Sequence, residues 1–572
     1  MLQILIVLAV FMALILPMGK YLYHIAVGGR TFADPVFDRL DNLIYRVCAI
    51  DRKEMNWKQY ALAMLTTNAV MVFLGYLILR IQSLPLFNPN AIGGMEPSLS
   101  FNTIISFMTN TNLQHYSGES GLSYLSQMTV IIFMMFTSAA SGFSVAIAAV
   151  RGFAGKGKTM GNFYGDLIRI TTRVLLPLSL LVGLVLVSQG VVQNLSPNLT
   201  LQTLEGNYQD IAMGPIAALE SIKHIGTNGG GFLGANSSTP FENPNVLTNI
   251  IEMLSMMILP GACVVMFGLM VRSRKQETEK GRQKRVLFGS EAKPIFAVML
   301  IFLVVGIAVC FGAEGAGNPT LEQAGLSRSM GNLEGKEMRF GIAQSSLFTT
   351  VTTAFTTGSI NNMHDTLTPL GGTVPLMNMM LNLVFGGKGV GLLNMILYVI
   401  LTVFICGLMV GRTPEYLAKK IEGREMKLTA LGIIIHPLLI LAFSALAVAV
   451  PAGLAGITNP GYHGLTQVVY EYASSAANNG SGFEGLADNT YFWNITTGLV
   501  MFLGRYLSII ISLAIAGSLM SKQPVSESIG TLRTDTRTFT LALLMVVLII
   551  ATLTFFPALV LGPIAEHLTL WP

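Results

Sequence analysis

Asn110-Thr111-Asn112, Thr227-Asn228-Gly229, Thr356-Thr357-Gly358 and Asn478-Asn479-Gly480 read as one signature used four times in a chain of 572 residues. Their third residues are 117, 129 and 122 positions apart, and each segment lies between two long apolar stretches. A short semi-polar stretch precedes each one: 100–110, 214–226, 341–355 and 464–477. These are too short and too polar to cross a bilayer, which takes about 20 apolar residues. They fit half-helices that dip into one leaflet and return through the signature. Four copies of helix, half-helix, loop and helix in one polypeptide build a four-fold pore, with the loops as its narrowest part.

The rest of the chain agrees. It is 52% hydrophobic and 11% charged, whereas soluble domains carry roughly 25% charged residues. Ten stretches are apolar enough to span: 2–19, 60–82, 127–150, 173–192, 248–271, 294–313, 378–411, 428–449, 491–520 and 538–562. The first has no positive n-region and a poor cleavage site at Met18-Gly19-Lys20, so it reads as a retained helix rather than a signal peptide. The middle eight pair around the four signatures, which leaves one extra helix at each end. The expected fold is an all-α integral membrane protein with ten transmembrane helices and four pseudo-repeats around a central pore. Its expected divisions are an N-terminal helix and loop (1–58), repeats at 59–160, 161–285, 286–427 and 428–530, and a C-terminal helix (531–572).

Basic residues set the orientation. The loops 20–58, 151–173, 272–293, 411–427 and 521–537 hold 28 of the 35 Lys and Arg. The loops 84–123 and 451–490 hold none, 193–246 has only Lys223, and 314–377 departs mildly with Arg328, Lys336 and Arg339. The basic loops are therefore expected in the cytoplasm, with the signatures and both termini outside. The net charge of +5 is then topological. It calls for no nucleic-acid partner, and membrane lipid is the surface those loops meet. Cys48, Cys263, Cys310 and Cys406 have no metal or disulfide spacing.

Each half-helix would turn its C-terminal carbonyls toward the bilayer centre, an end carrying on the order of half a negative charge. Four of them favour a cation. Irregular backbone at that depth is tolerated only where it is buried or lines a wet path, so the signatures must line the pore. Thr and Asn add side-chain oxygens, and Gly229, Gly358 and Gly480 permit the positive φ that turns carbonyls toward an axis. A ring of such oxygens replaces a cation's hydration shell. Asn112 breaks the symmetry where the other copies have Gly. Asn is enriched at positive φ, and nearby Gln114 is expected to reach into the filter.

Further residues stand out. In Phe385-Gly386-Gly387-Lys388-Gly389-Val390-Gly391, four glycines in six residues should break the helix 378–411 near mid-membrane. This is either a packing patch or a gate below the filter, and an intramembrane Lys388 favours function. Arg505, inside the last repeat's second helix, needs acceptors, either filter carbonyls or Glu484, unless it snorkels outward. His364 and Asp365 set an imidazole beside a carboxylate with no evident nucleophile, as expected of a loop network. Glu119, Glu242 and Glu484 follow three of the signatures and either concentrate cations or cap loops. Gly152 to Thr159 matches the phosphate-loop pattern but follows a membrane helix with no room for a nucleotide domain, so it reads as a chance match.

Several stretches resemble the A-subunit family (KdpA) of the bacterial Kdp potassium-transporting P-type ATPases, within a superfamily of potassium transporters. They are Thr109 to Glu119, Gly226 to Phe232, Thr356-Thr357-Gly358 with Asn362-Met363-His364-Asp365, Ser474 to Gly482, and Gly411 to Leu417. The resemblance runs end to end. It implies bound potassium ions and no other cofactor, held by a filter that includes Asn110, Asn112, Gln114, Thr227, Gly229, Thr356, Gly358, Asn478 and Gly480. It implies that the glycine-broken helix is a gating loop and that Arg505 is the charge below the filter. It also implies that energy comes from a separate P-type catalytic subunit (KdpB), with KdpC and KdpF completing a heterotetramer, and that the ion leaves sideways toward the catalytic subunit. The chain has no Asp-Lys-Thr-Gly phosphorylation motif, so it is expected to be non-catalytic on its own. Two rival readings are a self-sufficient potassium channel or symporter of the same superfamily, and an intramembrane enzyme built on His364 and Asp365.

Overall fold

The computed structural model describes residues 2–155, 158–278, 288–525 and 532–571, with no side chains described for 273–278. Lys156 and Gly157 of the phosphate-loop-like stretch lie outside the described residues, as do Met1, Pro572, and 279–287 and 526–531 of two basic loops.

Among the described residues, ten helical spans are long and apolar enough to cross a membrane. They alternate with four short helices at the expected places: Pro97–Met108, Ile216–Ile225, Gly341–Ala354 and Tyr462–Ala477. Local sequence explains how these start. Glu96 caps the first, its carboxylate accepting the Leu99 N–H at 2.8 Å with Pro97 at the first helical position, where a missing N–H costs nothing. Gly461, at φ 85°, turns the chain into the fourth.

The second helix of each repeat is the inner one. In the spans Tyr124–Ala154, Val246–Arg272, Gly387–Met409 and Tyr491–Met520, 83, 83, 56 and 61% of the most apolar window is buried. The first helices, Trp57–Ile81, Phe163–Ser188, Ala292–Gln323 and Gly423–Ala449, reach 28, 44, 39 and 22%. An inner ring thus surrounds the loops, and an outer ring shields it. The N-terminal helix Leu2–Ala26 buries Ile4, Val7, Phe11, Ile15, Gly19 and Leu22, a stripe at helical spacing. Gly19 seats it against Val265 of the second repeat, where a Cβ would fall 2.5 Å away.

The expected single helix at 378–411 is two helices. Pro369–Leu381 ends at Asn382 in the left-handed region (φ 47°), and Val390–Met409 begins eight residues later. Between them Phe385, Lys388 and Gly389 all have positive φ. The glycine cluster breaks the span as anticipated, and the break consumes the first third of the apolar stretch.

The basic loops share one face. Arg151 donates to Ala26 O (2.8 Å), Met55 N–H donates to Gly161 O (2.7 Å), Lys419 donates to Phe153 O (3.1 Å), Lys522 pairs with Glu425 (2.6 Å), and Thr534 donates to Glu291. The four signature loops meet one another on the opposite side, as described below. The three cations of 314–377, the departure from the basic-loop pattern, are absorbed locally. Lys336 pairs with fully buried Glu314 (2.6 Å), Arg328 donates to Ala316 O, and Arg339 donates to Ser238 O and Asn243 O.

Candidate functional site

The four half-helices end in the same way. The first signature residue returns its N–H to the carbonyl three positions back: Asn110 to Phe107, Thr227 to His224, Thr356 to Thr353, Asn478 to Ser475. The second returns its N–H five positions back: Thr111 to Ser106, Asn228 to Lys223, Thr357 to Thr352, Asn479 to Ser474, all at 2.8–3.0 Å. This is the geometry of a left-handed helix stop. First and third residues of every copy have positive φ: Asn110 60° and Asn112 59°, Thr227 47° and Gly229 90°, Thr356 50° and Gly358 84°, Asn478 55° and Gly480 108°. Four segments of different sequence adopt one backbone, and Asn112 takes the dihedral that Gly takes elsewhere.

The loops pack edge to edge. Cβ atoms on Gly229, Gly358 and Gly480 would fall 2.1, 2.2 and 2.0 Å from the carbonyl oxygens of Thr357, Asn479 and Thr111. Repeat two therefore abuts three, three abuts four, and four abuts one. Side chains tie the remaining seam. The Asn110 amide donates to Thr227 O (2.9 Å), and Asn228 donates to Asn110 Oδ1 (2.9 Å). Asn478 reaches Thr111 Oγ1 (2.9 Å), and Asn479 reaches Thr352 O (3.0 Å).

Three first-position carbonyls converge on one point. The Lys388 ammonium donates to Asn110 O at 2.9 Å, Thr356 O at 3.2 Å and Asn478 O at 3.5 Å. The glycine-broken segment passes directly beneath the loops, for a Cβ on Gly387 would sit 2.4 Å from Thr227 Oγ1. Gly386 lies by Thr356 Oγ1, and Gly389 and Gly391 close against Ala146 and Gly386. Phe385 anchors this segment by stacking on Phe355 (5.2 Å, 5°), with Phe11 edge-on.

Other expected residues fall as follows. Both polar atoms of the Gln114 amide engage Gly231, Oε1 accepting its N–H at 2.8 Å and Nε2 donating to its carbonyl at 3.1 Å, so the side chain braces loops one and two. Asn112 is fully buried, and neither its Oδ1 nor its Nδ2 has a partner. Arg505 is buried, yet neither the loop carbonyls nor Glu484 accepts from it. Glu484 is at the outer mouth, taking the N–H groups of His364 (2.9 Å) and Asp365 (3.1 Å). Arg505 instead borders a cavity of about 410 Å³ that Asn382, Asn394, Asn478 and Ser508 also line. Glu119 and Glu242 accept N–H groups of Gly234 and Leu233, so all three glutamates cap loops. His364 pairs with Tyr470 (2.7 Å), and Asp365 with His463 (3.0 Å). The two residues thus have separate partners and form no hydrogen-bonded dyad with each other. The phosphate-loop-like stretch presents carbonyls, those of Gly152, Phe153 and Gly155, to the Lys419 ammonium. A phosphate would require N–H groups there.

Two clusters around the loops escaped the sequence reading. Behind loop two, Lys223 contacts Glu220 (2.7 Å), Asn236 (2.7 Å) and Ser237 (3.0 Å), with every member buried. His224 Nδ1 faces Glu220 O at 2.9 Å, so Nε2 is left to accept the Ser359 hydroxyl at 2.9 Å, beside Gly358 of loop three. Between repeats one and four, His115 lies between Asn494 (2.7 Å) and Glu471 (3.2 Å). Its buried ring would resist protonation. The Asp488 and Glu471 carboxylates more than offset that and raise its pKa to about 9. The signal for the first cluster was present, as Glu220, Lys223 and His224 sit at helical spacing in a stretch too polar for a span. A single His after a signature gave no comparable signal.

Residues 5–568 match the family profile described as Potassium-transporting ATPase A subunit. The potassium-transporting ATPase potassium-binding subunit of Clostridium acetobutylicum is 59% identical over 570 residues, covering 100% of both chains. The subunit of that name from Geobacillus kaustophilus is 54% identical, covering 99% of each. Among solved structures, the potassium transporter TrkH from Vibrio parahaemolyticus shares the fold at a TM-score of 0.52 and 12% identity, covering 87% of this chain and 97% of that one. With whole-length relatives at this identity and a profile spanning nearly every residue, the chain belongs to the potassium-transporting ATPase A subunit family.

Proposed function

We propose that this chain is the potassium-binding, ion-selecting subunit of an ATP-driven, high-affinity potassium uptake complex, and that its four loops form the selectivity filter. The convergence of carbonyls from three repeats on one cation, the Lys388 ammonium, carries this reading. A site that holds an ammonium by backbone oxygens offers the ligands that replace a potassium hydration shell. The filter residues are Asn110 to Asn112, Thr227 to Gly229, Thr356 to Gly358 and Asn478 to Gly480. Gln114 fixes the first loop to the second. Gly386, Gly387, Lys388, Gly389 and Gly391 form the gate beneath. Arg505 places a fixed positive charge beside the cavity through which the ion leaves sideways.

The basic face lies in the cytoplasm of a bacterial cell and the filter face outside, so both termini are extracytoplasmic. Energy comes from a separate P-type catalytic subunit, KdpB, with KdpC and KdpF completing the assembly. The supporting argument is that the relatives are named as subunits of an ATPase, while this chain has no Asp-Lys-Thr-Gly motif of its own.

The test is potassium uptake at micromolar external potassium in cells lacking other uptake systems, with and without the ATPase partners. Uptake that requires the partners and ATP is the expected result. Uptake by the chain alone would make it a channel or symporter and overturn the pump-subunit reading.

A further inference from the structure

Lys388 is a buried cation with an unusual set of neighbours. Its Nζ touches Asn110 O, Thr356 O and Asn478 O at 2.9, 3.2 and 3.5 Å. These are the equivalent first-position carbonyls of repeats one, three and four. The fourth, Thr227 O, takes the Asn110 amide instead. No carboxylate lies within ion-pairing distance of Nζ among the described residues, and the neighbouring charged group is another cation: Arg505 Nη2 and Lys388 Cβ both lie 2.6 Å from where a Cβ on Gly142 would stand. An intramembrane charge is normally paired or faces water. Among the described residues the counter-field is that of the backbone carbonyls and the C-terminal ends of the half-helices. That is the field a filter offers to its ion.

An ammonium group on a four-carbon stem is a compact point charge with three donors, and three carbonyls receive them. A metal cation placed among the same oxygens would lie within contact distance of Nζ. Coulomb repulsion between two unit charges at contact distance in a water-poor site forbids both at once. The backbone around Lys388 suits it to leave. Gly387 and Gly389 flank it, Lys388 itself is at φ 57°, and both ends of the break, Asn382 and Val390, border the cavity of about 410 Å³.

We propose that the Lys388 ammonium is a tethered cation filling the innermost ion position of the filter, so that an ion there and the closed loop exclude one another. Inward release then requires the loop to withdraw the ammonium as the ion arrives. This rests on the reading of the four loops as a cation filter.

The experiment counts rubidium ions bound at saturation by the purified complex of this chain with its ATPase partners, with excess sodium present to suppress non-selective sites. Wild type is compared with Lys388→Met, Lys388→Gln and Lys388→Arg. Met and Gln remove the charge, Gln keeping a donor for the carbonyls should Met fail to assemble. Either is expected to bind one more rubidium per chain than wild type, and Arg to keep the wild-type number. An unchanged number in Met and Gln, with wild type binding selectively, overturns the tethered-cation assignment and leaves the filter standing. Absence of selective rubidium binding in wild type as well overturns the filter reading, and this proposal with it.

Discussion

Gly480 closes the ring of loops against Thr111. A Cβ at this glycine would lie 2.0 Å from the Thr111 carbonyl oxygen, across the seam between the last repeat and the first. Gly229 meets Thr357 O and Gly358 meets Asn479 O in the same way, at 2.1 and 2.2 Å. All three glycines are also at positive φ, where a side chain is strained. Gly229→Ser or Gly480→Ala must therefore displace a second-position carbonyl of the neighbouring loop. Discrimination of potassium over sodium is expected to fall about tenfold or more, equivalent to about 1.4 kcal/mol, with the complex still assembled. Competition of rubidium uptake by sodium measures it. Unaltered discrimination would remove these loops from the selective step.

The fourth corner is different. Asn112 has the glycine-like φ of 59° and an amide with no partner at either atom. A buried, unsatisfied amide costs roughly 1–3 kcal/mol, which a bound cation accepting Oδ1 as a ligand would recover. Asn112→Gly fits the backbone and removes that ligand. The apparent potassium affinity should weaken about tenfold, while thermal unfolding measured without potassium stays within a degree or two or rises. Wild-type affinity in this variant would show that the amide does not touch the ion.

The architecture was legible in the sequence because apolar length and basic-residue asymmetry are strong, cumulative signals. All ten spans and all four half-helices fall where hydropathy places them. At 378–411 the break came where the glycines placed it, but the apolar run concealed that the preceding helix already ends at Asn382 and that the chain turns at Phe385. Hydropathy counts residues without sensing dihedrals, and only the glycines told of the break. The signature positions were legible because they recur. What each side chain does was not, because that depends on contacts 90 to 400 residues apart. Gln114 bonds to Gly231, Lys388 to Asn110, and Asn478 to Thr111, and no local pattern encodes these partners. Arg505 was expected to find acceptors. A cavity wall, invisible to sequence, is where it ended.

His115 makes the seam between repeats one and four sensitive to pH. Asn494 fixes one ring nitrogen, while Glu471 and Asp488 face the other at 3.2 and 3.8 Å. Its folded pKa of about 9 lies above the ordinary 6.5. The stabilisation it gives is then complete below pH 6.5 and is lost as pH rises from 6.5 through 9. At most about 3 kcal/mol is at stake. The unfolding temperature of the solubilised protein should fall across that window, and His115→Gln should flatten the fall. An identical pH profile in the variant would assign the dependence to another group.

Behind loop two, the ion pair of Lys223 and Glu220 is closed to water on both sides, at 2.7 Å with side chains fully buried. It holds Asn236 and Ser237 in place, and through Ser237 (3.1 Å) it reaches Ser359 beside loop three. Removing one partner of a buried pair leaves an uncompensated charge and costs about 3–5 kcal/mol, whereas removing both is far milder. Lys223→Met should therefore lower the unfolding temperature markedly, and adding Glu220→Gln should recover most of the loss. The double variant restores charge balance but not the hydrogen bonds to Asn236 and Ser237. It is thus expected to fold and still to discriminate poorly between potassium and sodium, because loop three loses its support. Full selectivity in the double variant would confine this cluster to stability, and a double variant no more stable than the single one would show that packing, rather than the uncompensated charge, sets the cost.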